Sequence, residues 1–148
     1  MKKLLKYLMV LVAFVVTCVS CKKEDPETDI VGKWQSVTYS RQVYEAGRLV
    51  DDESASCIDW YLGFEFKSDG SGKYISYEGN SVFTQGLTWV IMGDKLMVTL
   101  PEAPSEDNSV AFDIVSISKD SMVLSEIYEY TSDGLRCKEV YTYNFNKI

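Results

Sequence analysis

The 148-residue chain contains no histidine. That absence removes Ser-His-Asp and Cys-His catalysis, and with them every zinc site that needs an imidazole. Basic residues are scarce, 15 Lys and Arg against 22 Asp and Glu, for a net charge of −7. Phosphate backbones are bound by clustered Lys and Arg, so nucleic acid is excluded as a partner. Past residue 20 there is no long apolar run and no ten-residue stretch of 3.6-residue periodicity, so neither a later membrane helix nor a helical domain is expected. Only 3 prolines interrupt the chain. The length fits one domain with a real core rather than two.

What is present begins with an address. Met1-Lys2-Lys3-Leu4-Leu5-Lys6 is cationic, and residues 7–20 carry no charge. Fourteen uncharged residues fall short of the roughly 20 that span a bilayer as a helix, yet they suit the apolar part of a signal peptide. Cys18-Val19-Ser20-Cys21 resembles a bacterial lipobox, in which small residues precede a cysteine that is acylated and becomes the first residue. Cys18 departs from the Leu usual at its position. A cut before Cys18 would instead place β-branched Thr17 where a small side chain is wanted, so Cys21 is the lipidation site expected. Read as C-x-x-C, the same residues lack the strand and helix of a redox motif. Removing residues 1–20, which hold Lys2, Lys3 and Lys6 but no acid, leaves 12 basic and 22 acidic side chains, a net of −10. Acyl chains on Cys21 would tether a soluble body to a membrane. Lys22 stands where an inner-membrane retention Asp would be, so an outer-membrane lipoprotein is expected. Lys23-Glu24-Asp25 resembles a surface-export signal, with a plain tether at the periplasmic face as the alternative. The domains expected are a leader at 1–20, a disordered linker at 21–29 broken by Pro26, and a folded domain at 30–148.

From Ile30 onward, aromatic and β-branched runs are punctuated by turn residues. Eight strands are expected, near 32–45, 58–67, 72–78, 85–92, 95–100, 109–118, 121–131 and 136–147. Asp69-Gly70, Gly93-Asp94 and Asp133-Gly134 supply the positive φ of tight hairpins. Trp60, Leu62, Phe64 and Phe66 share one face, as do Leu96, Val98 and Leu100. Short turns pair successive strands antiparallel, and eight can close into an up-and-down barrel without a free edge. Residues 45–57 and 101–108 are the two long connections.

Ile30-Val31-Gly32-Lys33-Trp34 places Gly-x-Trp at the start of the first strand. Phe64-Glu65-Phe66-Lys67-Ser68-Asp69-Gly70 with Ser71-Gly72-Lys73-Tyr74, the hairpin around Trp89 and Gly93-Asp94, Met122-Val123-Leu124 and the terminal Tyr141-Thr142-Tyr143-Asn144-Phe145 follow in order. This series resembles the small lipocalin-like lipoproteins of Gram-negative bacteria across residues 30–148. The resemblance implies an all-β, eight-stranded antiparallel lipocalin-like barrel that binds small apolar molecules, with Trp34 and Trp89 as barrel residues. It carries no ligand site over residue by residue.

Catalytic chemistry, a cofactor and a metal site are not expected. Ser116-Ile117-Ser118-Lys119 matches S-x-x-K but ends a strand, whereas that motif opens a helix. The acidic runs at 51–53 and 106–108 lack calcium-loop spacing. The candidate lining of an apolar cavity is Trp34, Ser36, Thr38, Trp60, Leu62, Phe64, Phe66, Tyr74, Trp89, Leu96, Val98, Tyr128, Tyr141 and Tyr143. Side chains can also fill a barrel of this size, which would make it a structural or interaction module. Ser36, Thr38 and Ser40 alternate with Trp34 and would leave room beside the aromatics, unless a bulge after Trp34 turns Val37 and Tyr39 inward. Cys57 and Cys137 are an even pair in an exported chain, and a disulfide across the barrel mouth is one reading, with two buried thiols as the other.

Overall fold

The computed structural model describes residues 26–58, 60–101 and 108–148. The leader, Cys21, the first part of the linker and most of the 101–108 connection lie outside the described residues. The described residues open with a short helix, α1 (Pro26–Ile30), where the linker was expected to run on to Asp29. Pro26 opens it with a preset φ and no N–H to satisfy. Ile30 closes it fully buried, and its carbonyl accepts a 2.6 Å hydrogen bond from the Trp34 indole. Lys147 fixes the same corner, donating to the Asp29 carbonyl at 2.9 Å with its ammonium 4.8 Å from the Trp34 ring.

Nine strands follow: β1 (Gly32–Glu45), β2 (Arg48–Ser56), β3 (Trp60–Phe66), β4 (Ser71–Glu78), β5 (Ser81–Met92), β6 (Lys95–Thr99), β7 (Ser109–Ile117), β8 (Ser121–Ser132) and β9 (Leu135–Lys147). All neighbours pair antiparallel. The run β1-β3-β4-β5-β6-β7-β8-β9 closes back on itself through β1 and β9, giving an eight-stranded barrel. The ninth strand is β2, in the segment expected to be a loop. It follows a two-residue turn in which Ala46 and Gly47 both have positive φ, the mirror-image geometry that matches strand twist.

On one flank β1 meets β9 along nearly its whole length; on the other it has two partners in succession. Residues 32–35 pair with β3, and residues 38–45 pair with β2. β2 and β3 thus behave as one strand interrupted at 57–59. Trp34 faces Phe64 while Thr38 faces Ser56, so four residues of β1 are matched by eight of the interrupted strand. Two hydrogen bonds close the seam: Cys57 N–H donates to the Val37 carbonyl at 3.0 Å, and Leu62 N–H donates to Ser36 Oγ at 2.9 Å.

A bulge at Val37 accompanies the change of partner, since pairing with β9 slips between Ser36 and Thr38. Before it Trp34 and Ser36 point inward; after it Tyr39, Arg41 and Val43 do. Thr38 is therefore on the outer face, where its Oγ1 accepts from Asn144 Nδ2 at 2.9 Å, and it lines no cavity. Ser36 does point inward but is fully buried, with its hydroxyl committed to Leu62.

Both thiols are free. Cys57 sits at the level of Val37 and Cys137 opposite Glu45. Those levels are eight residue steps apart along β1, about 26 Å at strand rise, far beyond disulfide reach. The insertion of β2 separates them, because β3 starts partway up β1 rather than at its tip.

The core fills the end of the barrel next to α1. Ile30, Trp34, Phe66, Leu96, Met122, Leu124 and Phe145 are all less than 2% exposed. Phe64 packs among Phe66, Tyr74, Phe112 and Phe145, with ring centroids 5.2–6.1 Å apart. The tight approach of β3 and β4 needs Gly72, where a Cβ would run into the Glu65 carbonyl oxygen and crowd Leu87.

Candidate functional site

At the opposite end the upper parts of β8, β9, β1 and β2 rise past the barrel as a sheet, because β7 and β3 pair only with the lower parts. Strand alternation gives this sheet a distinct inner face. β8 contributes Glu126, Tyr128 and Tyr130, and β9 contributes Glu139, Tyr141 and Tyr143. β1 adds Tyr39 and Arg41, and β2 adds Asp51 and Glu53.

Tyr143 is the floor. Its ring meets the core at Phe112 and Phe145, with centroids 6.5 and 6.4 Å away. Tyr39 lies beside it at 6.0 Å and bridges to Trp60 at 5.5 Å and Tyr141 at 6.3 Å. Tyr128 stands edge-on to Tyr141, 5.7 Å away at 88°. Glu126, Tyr128, Tyr130, Glu139, Tyr141 and Tyr143 enclose an open cavity of about 350 Å³. A broader hollow of about 930 Å³ lies between the β1–β2 and β8–β9 tips and shares Tyr130 with it.

Arg41 organises the polar side of this site. Its Nε donates to Glu139 Oε2 and to the Tyr141 hydroxyl, each at 3.2 Å, and a terminal nitrogen meets Asp51 at 3.2 Å. The Tyr141 hydroxyl in turn donates to Glu139 Oε2 at 2.6 Å, and Tyr130 donates to the other carboxylate oxygen at 2.8 Å. Hydrogen bonds from Arg41, Tyr141 and Tyr130 hold the Glu139 carboxyl at about 2. Burial pushes Tyr143 up, and burial together with donation to Glu126 pushes Tyr128 up to about 12. Tyr130 and Tyr141 are raised chiefly by donating to Glu139, while Tyr39 is raised by burial. The five phenols stay neutral through the physiological range, and Tyr128, Tyr130 and Tyr141 act as donors.

The lining expected from sequence divides in two. Trp34, Phe64, Phe66, Leu96 and Val98 are core, at most 3% exposed. Leu62, Tyr74 and Trp89 pack against that core. The Trp89 indole donates to the Lys67 and Ser71 carbonyls at the closed end, both at 3.1 Å. Tyr128, Tyr141 and Tyr143 do line the open-end cavity, and Trp60 reaches them only through Tyr39. Tyr39 was expected inward only under the bulge alternative, which the structure follows; Arg41, Asp51, Tyr130 and Glu139 were missed, although Glu-x-Tyr-x-Tyr recurs at 126–130 and 139–143 with the period of a strand. Ser116 lies in β7 and Ser118 bonds Ser121 across the following turn, so the S-x-x-K residues build no catalytic corner. No group of three or more metal-binding side chains occurs among the described residues.

A barrel plugged by a helix and a packed core at one end, and open over an aromatic cavity at the other, is a calyx. The model of the lipocalin-like domain matches residues 30–124, and the chain belongs to that family. It is similar to a solved lipocalin-like protein from Bacteroides uniformis, with 18% identity, a TM-score of 0.50, and 81% of this chain and 99% of that one covered. An uncharacterized protein from Bacteroides eggerthii gives 15% identity, a TM-score of 0.46, and coverage of 81% and 100%. Bovine odorant binding protein, solved with a selenium-containing odorant, gives 16%, 0.45, and coverage of 87% and 76%. Comparison with curated proteins finds no match.

Proposed function

We propose that this lipocalin-like barrel is a non-catalytic binding module of the bacterial envelope, which takes a small amphipathic molecule at its open end. The observation that carries this reading is the division of the barrel. Side chains fill the half beside α1, whereas the half above Tyr143 keeps a tyrosine-walled cavity of about 350 Å³, in the range of small-ligand sites. The earlier expectation of a purely apolar interior changes accordingly: the apolar part of the barrel is occupied by its own core, and the available walls are amphipathic phenols with carboxylates beside them.

Lipidation of Cys21 belongs to the same proposal. α1 enters the barrel at its closed end, opposite the mouth, and Cys21 stands five residues ahead of Pro26 in the chain. Cys21→Ala is expected to move the protein out of the membrane fraction, and continued acylation of that variant would refute the site. Ligand binding is tested by titrating the purified protein with the neutral dye N-phenyl-1-naphthylamine, together with native mass spectrometry for a co-purified molecule. Saturable one-to-one binding is expected. No binding and no co-purified mass would favour the second reading, an interaction module, which the filled lower core supports.

A further inference from the structure

We infer that the open-end cavity selects organic cations, molecules with an ammonium group on an apolar body, over neutral and anionic molecules of the same shape. This rests on the reading of the cavity as a small-molecule site and specifies its ligand class. The first ground is the wall. Tyr128, Tyr130, Tyr141 and Tyr143 line one cavity, with Tyr39 stacked behind them. Faces of neutral phenols present negative potential, and grouped aromatic faces are the arrangement that receives quaternary and methylated ammonium ions.

The second ground is charge. Below the hairpin tips, the inner face of the upper sheet carries Asp51, Glu53, Glu126 and Glu139 against one guanidinium, Arg41. That guanidinium is already engaged by Asp51, Glu139 and Tyr141. Glu126 accepts from the Tyr128 hydroxyl and is paired with no Lys or Arg among the described residues. Across the mouth the β4–β5 hairpin brings Glu78 opposite Trp60 and places no cation on its inner face. An ammonium entering here gains aromatic faces and an unneutralised carboxylate, while a carboxylate ligand meets Glu126 and Glu139 and finds the one guanidinium already engaged. Glu126, Tyr128, Tyr130, Glu139, Tyr141 and Tyr143, which line the cavity itself, lie on β8 and β9 beyond residue 124, where the family match ends.

The test uses three probes with one phenyl body: phenethyltrimethylammonium, its neutral tert-butyl isostere, and 3-phenylpropionate. Each is titrated into the purified protein by calorimetry in low salt and again at 0.5 M salt. The expected result is at least tenfold tighter binding of the trimethylammonium probe than of the isostere, weakening with salt, and no measurable binding of the carboxylate. Glu126→Gln, whose side chain is outside the core, should erase most of that tenfold advantage, read as the ratio of cation to isostere affinity within the variant, with the melting temperature reporting an intact fold. Equal affinity for the cation and its isostere, or preference for the carboxylate, overturns the charge selectivity while dye binding keeps the cavity reading intact. Failure of all three probes with the dye still bound also overturns it. Failure of the dye as well sinks the cavity reading itself.

Discussion

Ser36→Ala removes one oxygen atom at the seam where β1 changes partner. Residues 32–35 of β1 are paired with β3, and by residue 38 the partner is β2. Leu62 falls in the gap, and its N–H is satisfied by Ser36 Oγ at 2.9 Å rather than by a strand carbonyl. Ser36 is wholly buried and Leu62 is half-buried, so the orphaned donor is at most partly open to water. An unmet buried amide costs about 1–3 kcal/mol. For a domain of this size each kcal/mol lowers the melting temperature by roughly 3–6 °C. Ser36→Leu loses the same bond and adds overpacking of about 1–3 kcal/mol, for a total near 2–6 kcal/mol. Thr38→Ala is the matched control, an exposed outer-face change expected within about 0.5 kcal/mol of wild type. Urea unfolding with an unchanged slope measures all three. If Ser36→Leu were as stable as wild type, Ser36 would be facing empty space and the packed-seam account would be wrong.

Three further outcomes follow from particular contacts. The Glu139 carboxyl is held below its unfolded value, so its contribution to stability is complete above about pH 5 and is lost as the pH falls toward 2; Glu139→Gln should flatten acid unfolding across that window, and an unchanged profile would refute the Arg41–Tyr141–Tyr130 clamp. Phenol ionisation read at 295 nm should leave Tyr128 and Tyr143 protonated at pH 11 and release them on unfolding, since their raised values stabilise the fold below the ordinary tyrosine value and cease to do so as pH rises through the folded ones; full ionisation of the native protein by pH 11 would contradict the stacked floor. Gly72→Ala should cost about 2 kcal/mol or more, because its Cβ meets the Glu65 carbonyl rather than a side chain that can swing away, whereas Gly86→Ala, open on all sides, should not.

The barrel was legible in the chain because most strands bury one face. Phe64 and Phe66, Leu96 and Val98, and Met122 and Leu124 are all buried pairs two residues apart, and that spacing is visible without coordinates. β2 was not, for a physical reason. Its residues, Arg-Leu-Val-Asp-Asp-Glu-Ser-Ala-Ser, are exposed almost throughout, so no core imposed alternation on them. Asp and Ser are poor strand formers, and an Ala-Gly turn lacks the Asn-Gly or Asp-Gly signature. The site suffered from a single bulge. Val37 inverts the facing of everything after it in β1, so Tyr39 and Arg41, rather than Thr38, reach the interior. Which of the tyrosines would find Glu139, and which carboxylate Arg41 would engage, depends on cross-strand register that local pattern does not encode.

The central claim is that the lower barrel is filled and that a ligand sits above it, against the tyrosines. Its most direct test is a chemical-shift map of the protein titrated with N-phenyl-1-naphthylamine. Saturable shifts in the rings of Tyr39, Tyr128, Tyr141 and Tyr143, with the methyl groups of Leu96, Val98 and Leu124 unmoved, are predicted. Largest shifts at those core methyls, or no saturable shift anywhere, would contradict it.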